Sequence, residues 1–144
     1  MSHGNLPDVF IDTDVSFDII SKREPHFVFS VQLLRLAASD KIRLVISESS
    51  LANLFYLSFD IYKIKDAALK LSDLIAVCEL APAGKDSALL ALNSQFRDKE
   101  DALQYFTALH AEANYFVTNN TRDYKHKRPS LPVFTPEDFM KEIK

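Results

Sequence analysis

The sequence predicts an α/β protein with a central parallel sheet, on three observations. An apolar run, Val9-Phe10-Ile11, stops on Asp12-Thr13-Asp14. A second, Tyr115-Phe116-Val117, stops on Thr118-Asn119-Asn120-Thr121-Arg122-Asp123. Between them, segments of helical spacing alternate with short strand-like runs. Such alternation favours helices layered on a parallel sheet, joined by right-handed crossovers. Ligands of these sheets gather beyond the carboxyl ends of the strands. Two acid-tipped strands therefore point to one shared acidic pocket.

After the first strand, Pro25 offers a helix start, and Phe27, Val31, Leu34 and Ala38 recur at helical spacing through Ser39. Ile42 to Ile46 reads as a second strand. Ser47 and Ser50 then supply N-cap chemistry for a helix carrying Leu51, Leu54, Phe55 and Phe59. Asp66 opens a helix through Leu71, Leu74 and Ile75, and the run about Val77 to Leu80 reads as a strand ending at Pro82. A short helix is expected over Lys85–Leu92 and a longer one over Lys99–Ala113, with Glu100 and Asp101 in the first turn, as the helix dipole prefers. The strand ending at Val117 follows. Pro129 and Pro132 bracket a loop before Val133-Phe134, and Thr135-Pro136-Glu137-Asp138 has the cap and first-turn proline of a terminal helix ending near Lys144.

The 144 residues, 47% of them apolar and 26% charged, suit one domain over residues 1–144, and two glycines leave no room for a flexible linker. Cys78, inside the apolar run from Leu74, reads as a buried small hydrophobe, and a single cysteine fits a reducing compartment. No apolar segment reaches bilayer length, and the polar opening Met1-Ser2-His3-Gly4-Asn5 lacks the features of a signal peptide, so a cytoplasmic location without a membrane partner is expected. A net charge of −3 repels polyanions except near a local basic cluster, Lys125-His126-Lys127-Arg128, which would otherwise be a solvated loop.

Small hard cations need only one or two direct carboxylates, plus waters and substrate phosphate oxygens. Asp12, Asp101 and Asp123 are the candidates, provided that the sheet brings them together. Each also has a purely structural role open to it: an N-cap, a dipole-complementing acid and a turn residue. Asp-Thr-Asp at one strand end is harder to explain structurally, because crowded carboxylates raise each other's pKa unless a cation lies between them. Thr13, Thr118, Asn119 and Asn120 stand at the same level and suit a supporting shell.

Phe10-Ile11-Asp12-Thr13-Asp14-Val15, Asp98-Lys99-Glu100-Asp101-Ala102-Leu103-Gln104 and Val117 to Tyr124 resemble the three hallmark blocks of the PIN domain. Leu131 to Phe139 is similar to the closing block of the small bacterial subgroup related to VapC-type toxins. The resemblance implies a three-layer α/β fold and a magnesium- or manganese-dependent ribonuclease, often the toxin half of a toxin–antitoxin pair. It also implies an RNA substrate and an antitoxin partner. By position it makes Asp12 a direct metal ligand, Asp101 the acid opening the late helix, and Asp98 an auxiliary ligand, with Asp14 in the supporting shell. The glutamate and late aspartate of many members fall on Asn53 and Asn120, while Asp123 stands close enough to substitute for the latter. Each asparagine exchanges an anionic ligand for a neutral one, which weakens the hold on two cations and favours a single-metal site. Lys125, Lys127 and Arg128 would then contact RNA phosphates, and Tyr124 and His126 are candidates to stack on an unpaired base, with core packing for the tyrosine and solvent exposure for the histidine the favoured alternatives.

Two other readings stay open at this point. One is a PIN-fold RNA-binding module with weak or no turnover, which the asparagines favour. The other is a phosphatase, since Asp-Thr-Asp at a strand end resembles the aspartyl loop of haloacid dehalogenase enzymes, although the chain lacks a Gly-rich phosphate loop. The apolar faces near Phe27 to Leu36 and Leu51 to Phe59 suit either core burial or a homodimer.

Overall fold

The computed structural model describes residues 6–143; the polar opening at Met1 to Asn5 and the expected helix end at Lys144 lie outside it. Five strands, β1 (Asp8–Ile11), β2 (Arg43–Ser47), β3 (Cys78–Ala81), β4 (Tyr115–Val117) and β5 (Val133–Phe134), form one sheet in the order β3-β2-β1-β4-β5. Every pairing is parallel. Among the described residues seven helices cover it: α1 (Thr13–Ser21), α2 (Phe27–Ala38), α3 (Glu48–Phe55), α4 (Ala67–Ala76), α5 (Gly84–Leu92), α6 (Lys99–His110) and α7 (Pro136–Glu142).

Alternation along the central strands divides the core in two, because successive side chains point to opposite faces. Val9 and Ile11 of β1, Leu44 and Ile46 of β2 and Val117 of β4 join Val15, Phe17, Ile20, Leu33, Leu54, Leu71 and Phe139 on one side. Phe10, Val45 and Phe116 join Phe96, Tyr105, Phe106 and Tyr124 on the other, against α5 and α6. Phe10 and Phe116, paired in register across β1 and β4, stack with centroids 5.3 Å apart. The result is the expected three-layer fold.

One helix departs from the sequence reading, which placed the first helix start at Pro25. α1 begins at Thr13, directly after β1, because Asp12 caps it: its Oδ1 accepts the Val15 amide at 3.0 Å. Thr13, Val15, Ser16, Phe17, Asp18, Ile19 and Ile20 are all buried, so α1 places polar Ser16 and Asp18 in the interior and its sequence does not show which side faces solvent. Lys22, with φ 58, ends it in the left-handed conformation. The other elements agree within a few residues. α3 keeps α-geometry only to Phe55 and widens into a π-helical turn over Tyr56–Ile61. Cys78 is half-buried rather than fully enclosed, and burial pushes its thiol up to about 12, far from reactive.

Candidate active site

Strand order locates the site. β2 and β4 flank β1 on opposite sides, so the topology reverses between β1 and β4, and a ligand crevice opens beyond their carboxyl ends. There the Asp12 amide donates to Val117 O at 3.2 Å and the Thr118 amide to Phe134 O at 2.9 Å. These backbone bonds fix Asp12 beside Thr118. α6 enters over the same edge with Asp101 in its first turn, and Gln104, one turn further on, accepts the Thr13 amide through Oε1 at 3.1 Å. That bond, between residues 91 apart in the chain, ties α6 to the β1–α1 junction.

Asp12 is only 4% exposed. Burial pushes its carboxyl up to about 7, the neighbouring charges of Asp14 and Asp101 push the same way, and hydrogen bonding from Thr118 and Val15 offsets this only in part. Asp101 is half-buried and is also pushed up to about 7, by burial first and then by Asp98, Asp123, Asp14 and Glu100. The charges of Asp12, Asp101, Asp123 and Asp98 all reach the Tyr124 phenol and raise it further. The acids from both ends of the sequence thus share one electrostatic environment with no cation among the leading causes.

Their immediate roles differ. Asp98 caps α6, its Oδ1 accepting the amides of Glu100 at 2.9 Å and Asp101 at 3.1 Å. Asp123 is exposed and accepts the Asn120 side-chain amide at 2.7 Å, while the Asn120 backbone amide donates to Thr118 Oγ1 at 3.2 Å. Asn119 turns away, donating to Asp18 Oδ2 at 2.6 Å. Asn53 lies half-buried on α3, and among the described residues no hydrogen bond links it to the acids. Asp14 is exposed and Thr13 buried at the helix start. Lys125, Lys127 and Arg128 are exposed on the loop after a 3-10 turn over Thr121–Tyr124.

Tyr124 does not stack on a ligand. It is 1% exposed and packs against Phe96, Tyr105 and Phe116, since an apolar ring beside β4 finds its lowest energy in the core. Sequence reasoning missed Gln104, although its spacing from Asp101 puts both on one face of α6. It also missed Asp18, fully buried and paired with Arg23 Nε at 2.7 Å, because nothing local shows that this acid is buried or that its second partner is Asn119, 101 residues away.

Among the described residues no three His, Cys, Asp or Glu side chains gather closely enough to cage a metal ion. The donor set still fits a cation that keeps most of its waters: two carboxylates, Asp12 and Asp101, stand among further acids at one crevice, and burial first, then those neighbouring charges, raises both.

A parallel sheet whose reversal point carries a capping aspartate, faced by an acid on a crossing helix, defines a class of α/β proteins with an acidic crevice, and the family model of the PIN domain matches residues 8–122 of this one. The chain belongs to the PIN domain family, which displaces the haloacid dehalogenase reading. Among curated proteins it is similar to Ribonuclease VapC1 of Aquifex aeolicus (strain VF5), 29% identical over 140 residues that cover 94% of each chain. Its fold is similar to that of DNA-bound VapBC from Salmonella typhimurium, with TM-score 0.67 and 19% identity over 91% of this chain and 99% of that one. A toxin–antitoxin complex from Klebsiella pneumoniae gives TM-score 0.64 at 20% identity, covering 89% and 97%. No helix among the described residues is long and apolar enough to cross a membrane.

Proposed function

We propose that the protein is a divalent-cation-dependent endoribonuclease, the toxin half of a toxin–antitoxin pair. One observation carries the reading: Asp12, buried at the sheet's reversal point, and Asp101, in the first turn of the α6 helix tied to the β1–α1 junction through Gln104, lie in one acidic crevice. The similarity to a curated ribonuclease and to toxin–antitoxin complexes supports it. Asp12 and Asp101 would hold magnesium or manganese, with Asp123 and Asp98 adding negative field and Asp14 lying at the rim. When bound, the cation supplies a water acidified enough to act as nucleophile. Asp12 is held in its orientation by the Val15 amide and by hydrogen bonding from Thr118. Asp101, half-exposed, is suited to take a proton from a water aligned with the scissile phosphate. Lys125, Lys127 and Arg128 hold the RNA backbone near the acids.

The test is cleavage of single-stranded and structured RNAs with magnesium or manganese. Wild type should cut, and Asp12→Asn and Asp101→Asn should not. Inertness of all three under saturating manganese would remove the nuclease. A second reading, an RNA-binding module with little turnover, is favoured by Asn53 and Asn120 and by the lack of a three-carboxylate group among the described residues. RNA binding without cleavage would select it. Phe55, Tyr56, Phe59 and Tyr62, 43–55% exposed on α3, its π-helical turn and the residue that follows, support a protein partner, either an antitoxin or a second copy.

A further inference from the structure

We propose that the cleft between the α5–α6 connection and the basic loop is a binding site for one unpaired nucleobase of the RNA, flanking the phosphate held at the acids. This rests on the reading of the acidic crevice as the place where RNA lies. The cleft has a volume of about 330 Å³ and is lined by Phe96 and Phe106 with Asn93, Gln95, His126 and Arg128. That is the small end of ligand-pocket size, on the scale of a nucleotide rather than a helix.

Its chemistry is that of a base site. Phe96 and Phe106, 3% and 5% exposed, make a fixed aromatic floor with centroids 5.9 Å apart. The Arg128 guanidinium lies 5.4 Å above the Phe106 ring, and the His126 ring 6.3 Å from that of Phe96. These two exposed planar groups suit stacking on a base, which needs a π-face and no particular sequence. Gln95 and Asn93 offer amide donors and acceptors to a base edge. Lys99 Nζ, bonded to the Ser94 carbonyl at 2.8 Å, brings a further cation to the rim, and Lys125 and Lys127 flank His126.

The backbone of the wall is held in place before any ligand arrives. The Arg128 amide donates to Tyr105 Oη at 2.8 Å, and that hydroxyl donates to Leu131 O at 2.8 Å. A site that need not be ordered on binding keeps more of its interaction energy as affinity. The cleft is also close to the acids: Phe96 touches Tyr124 at 5.6 Å between centroids, and Tyr124 feels the charges of Asp12, Asp101 and Asp123. Tyr124 thus packs against the cleft floor on one side and lies within the field of the acids on the other.

The experiment measures binding of a fluorescein-labelled single-stranded decaribonucleotide by anisotropy, with calcium in place of a catalytic cation. A parallel set of oligonucleotides carries one abasic position each. His126→Ala and Arg128→Ala should each weaken binding about 5- to 100-fold, the range for loss of one stacked base. Arg128→Lys should stay weakened, since an ammonium keeps the charge but not the plane. One abasic position should weaken wild type similarly and leave the two alanine variants almost unaffected. Equal binding by wild type and variants, full rescue by Arg128→Lys, or no abasic position that couples to the variants would each overturn the proposal. So would protection of His126 and Arg128 by a protein partner but not by RNA. Cleavage separates the two readings. If wild type and Asp12→Asn are equally inert while the abasic coupling holds, the nuclease falls and the base site stands. If Asp12→Asn alone abolishes cleavage and no coupling is found, the nuclease stands without the base site.

Discussion

Replacing Asp12 by asparagine should stabilise the folded chain at alkaline pH, and the size of the effect follows from the site. The carboxyl has an ordinary value of 3.8 and is pushed up to about 7 in the fold, mainly by burial. A group that holds its proton more tightly when folded contributes its full stability below the unfolded value. That contribution is lost as pH rises through the folded one. At about 1.36 kcal/mol per unit, wild type should lose roughly 4 kcal/mol between pH 4 and pH 8 through this group alone. The Asp12→Asn side chain neither titrates nor loses the cap, since asparagine is as good an N-cap as aspartate. Because the Asp101 charge raises Asp12 and both carboxyls titrate near the same pH, the two share macroscopic values, and an observed gap of about 2–4 kcal/mol is expected. Urea denaturation of both proteins across that pH range measures it. The curves should converge near pH 4 and separate steadily above it, with the asparagine variant the more stable. A pH-independent gap, or a wild type that is more stable at pH 8, would refute the account of a carboxylate strained by burial. Magnesium should narrow the gap by stabilising wild type only, by mass action.

Three further outcomes are expected. Gln104→Leu leaves the buried Thr13 amide without its acceptor, so urea denaturation should show a loss of about 1–3 kcal/mol, with cleavage falling as α6 loosens over the acids. Arg23→Ala strips buried Asp18 of its ion pair and leaves only the Asn119 amide, which should cost about 1–3 kcal/mol in the same assay, below the range for a fully buried pair because solvent screens the 43% exposed arginine. Light scattering at micromolar concentration should give more than the monomer mass if a second copy covers Phe55, Tyr56, Phe59 and Tyr62, and a monomeric mass would leave that face to an antitoxin.

Local sequence was enough to set the strands, their polar tips and most of the helices. Alternation in Val9-Phe10-Ile11 records which side of β1 is buried, and that record is local; the spacing in α2 marks the helix but not its inner side, where Ser30 and Leu33 are buried while Phe27, Val31 and Leu34 are half-buried and Ala38 is exposed. α1 escaped because the aspartate read as a strand tip was also its cap, so strand and helix meet with no loop between them. Tertiary packing was needed to put Asp12 and Asp101 in one field, to bring Gln104 to the Thr13 amide, to commit Asn119 to Asp18, and to assign Tyr124 to the core instead of a ligand. Strand order accounts for the difference. Setting β4 beside β1 while β2 takes the other side brings the two ends of the chain together, and no short stretch of residues encodes which strands become neighbours.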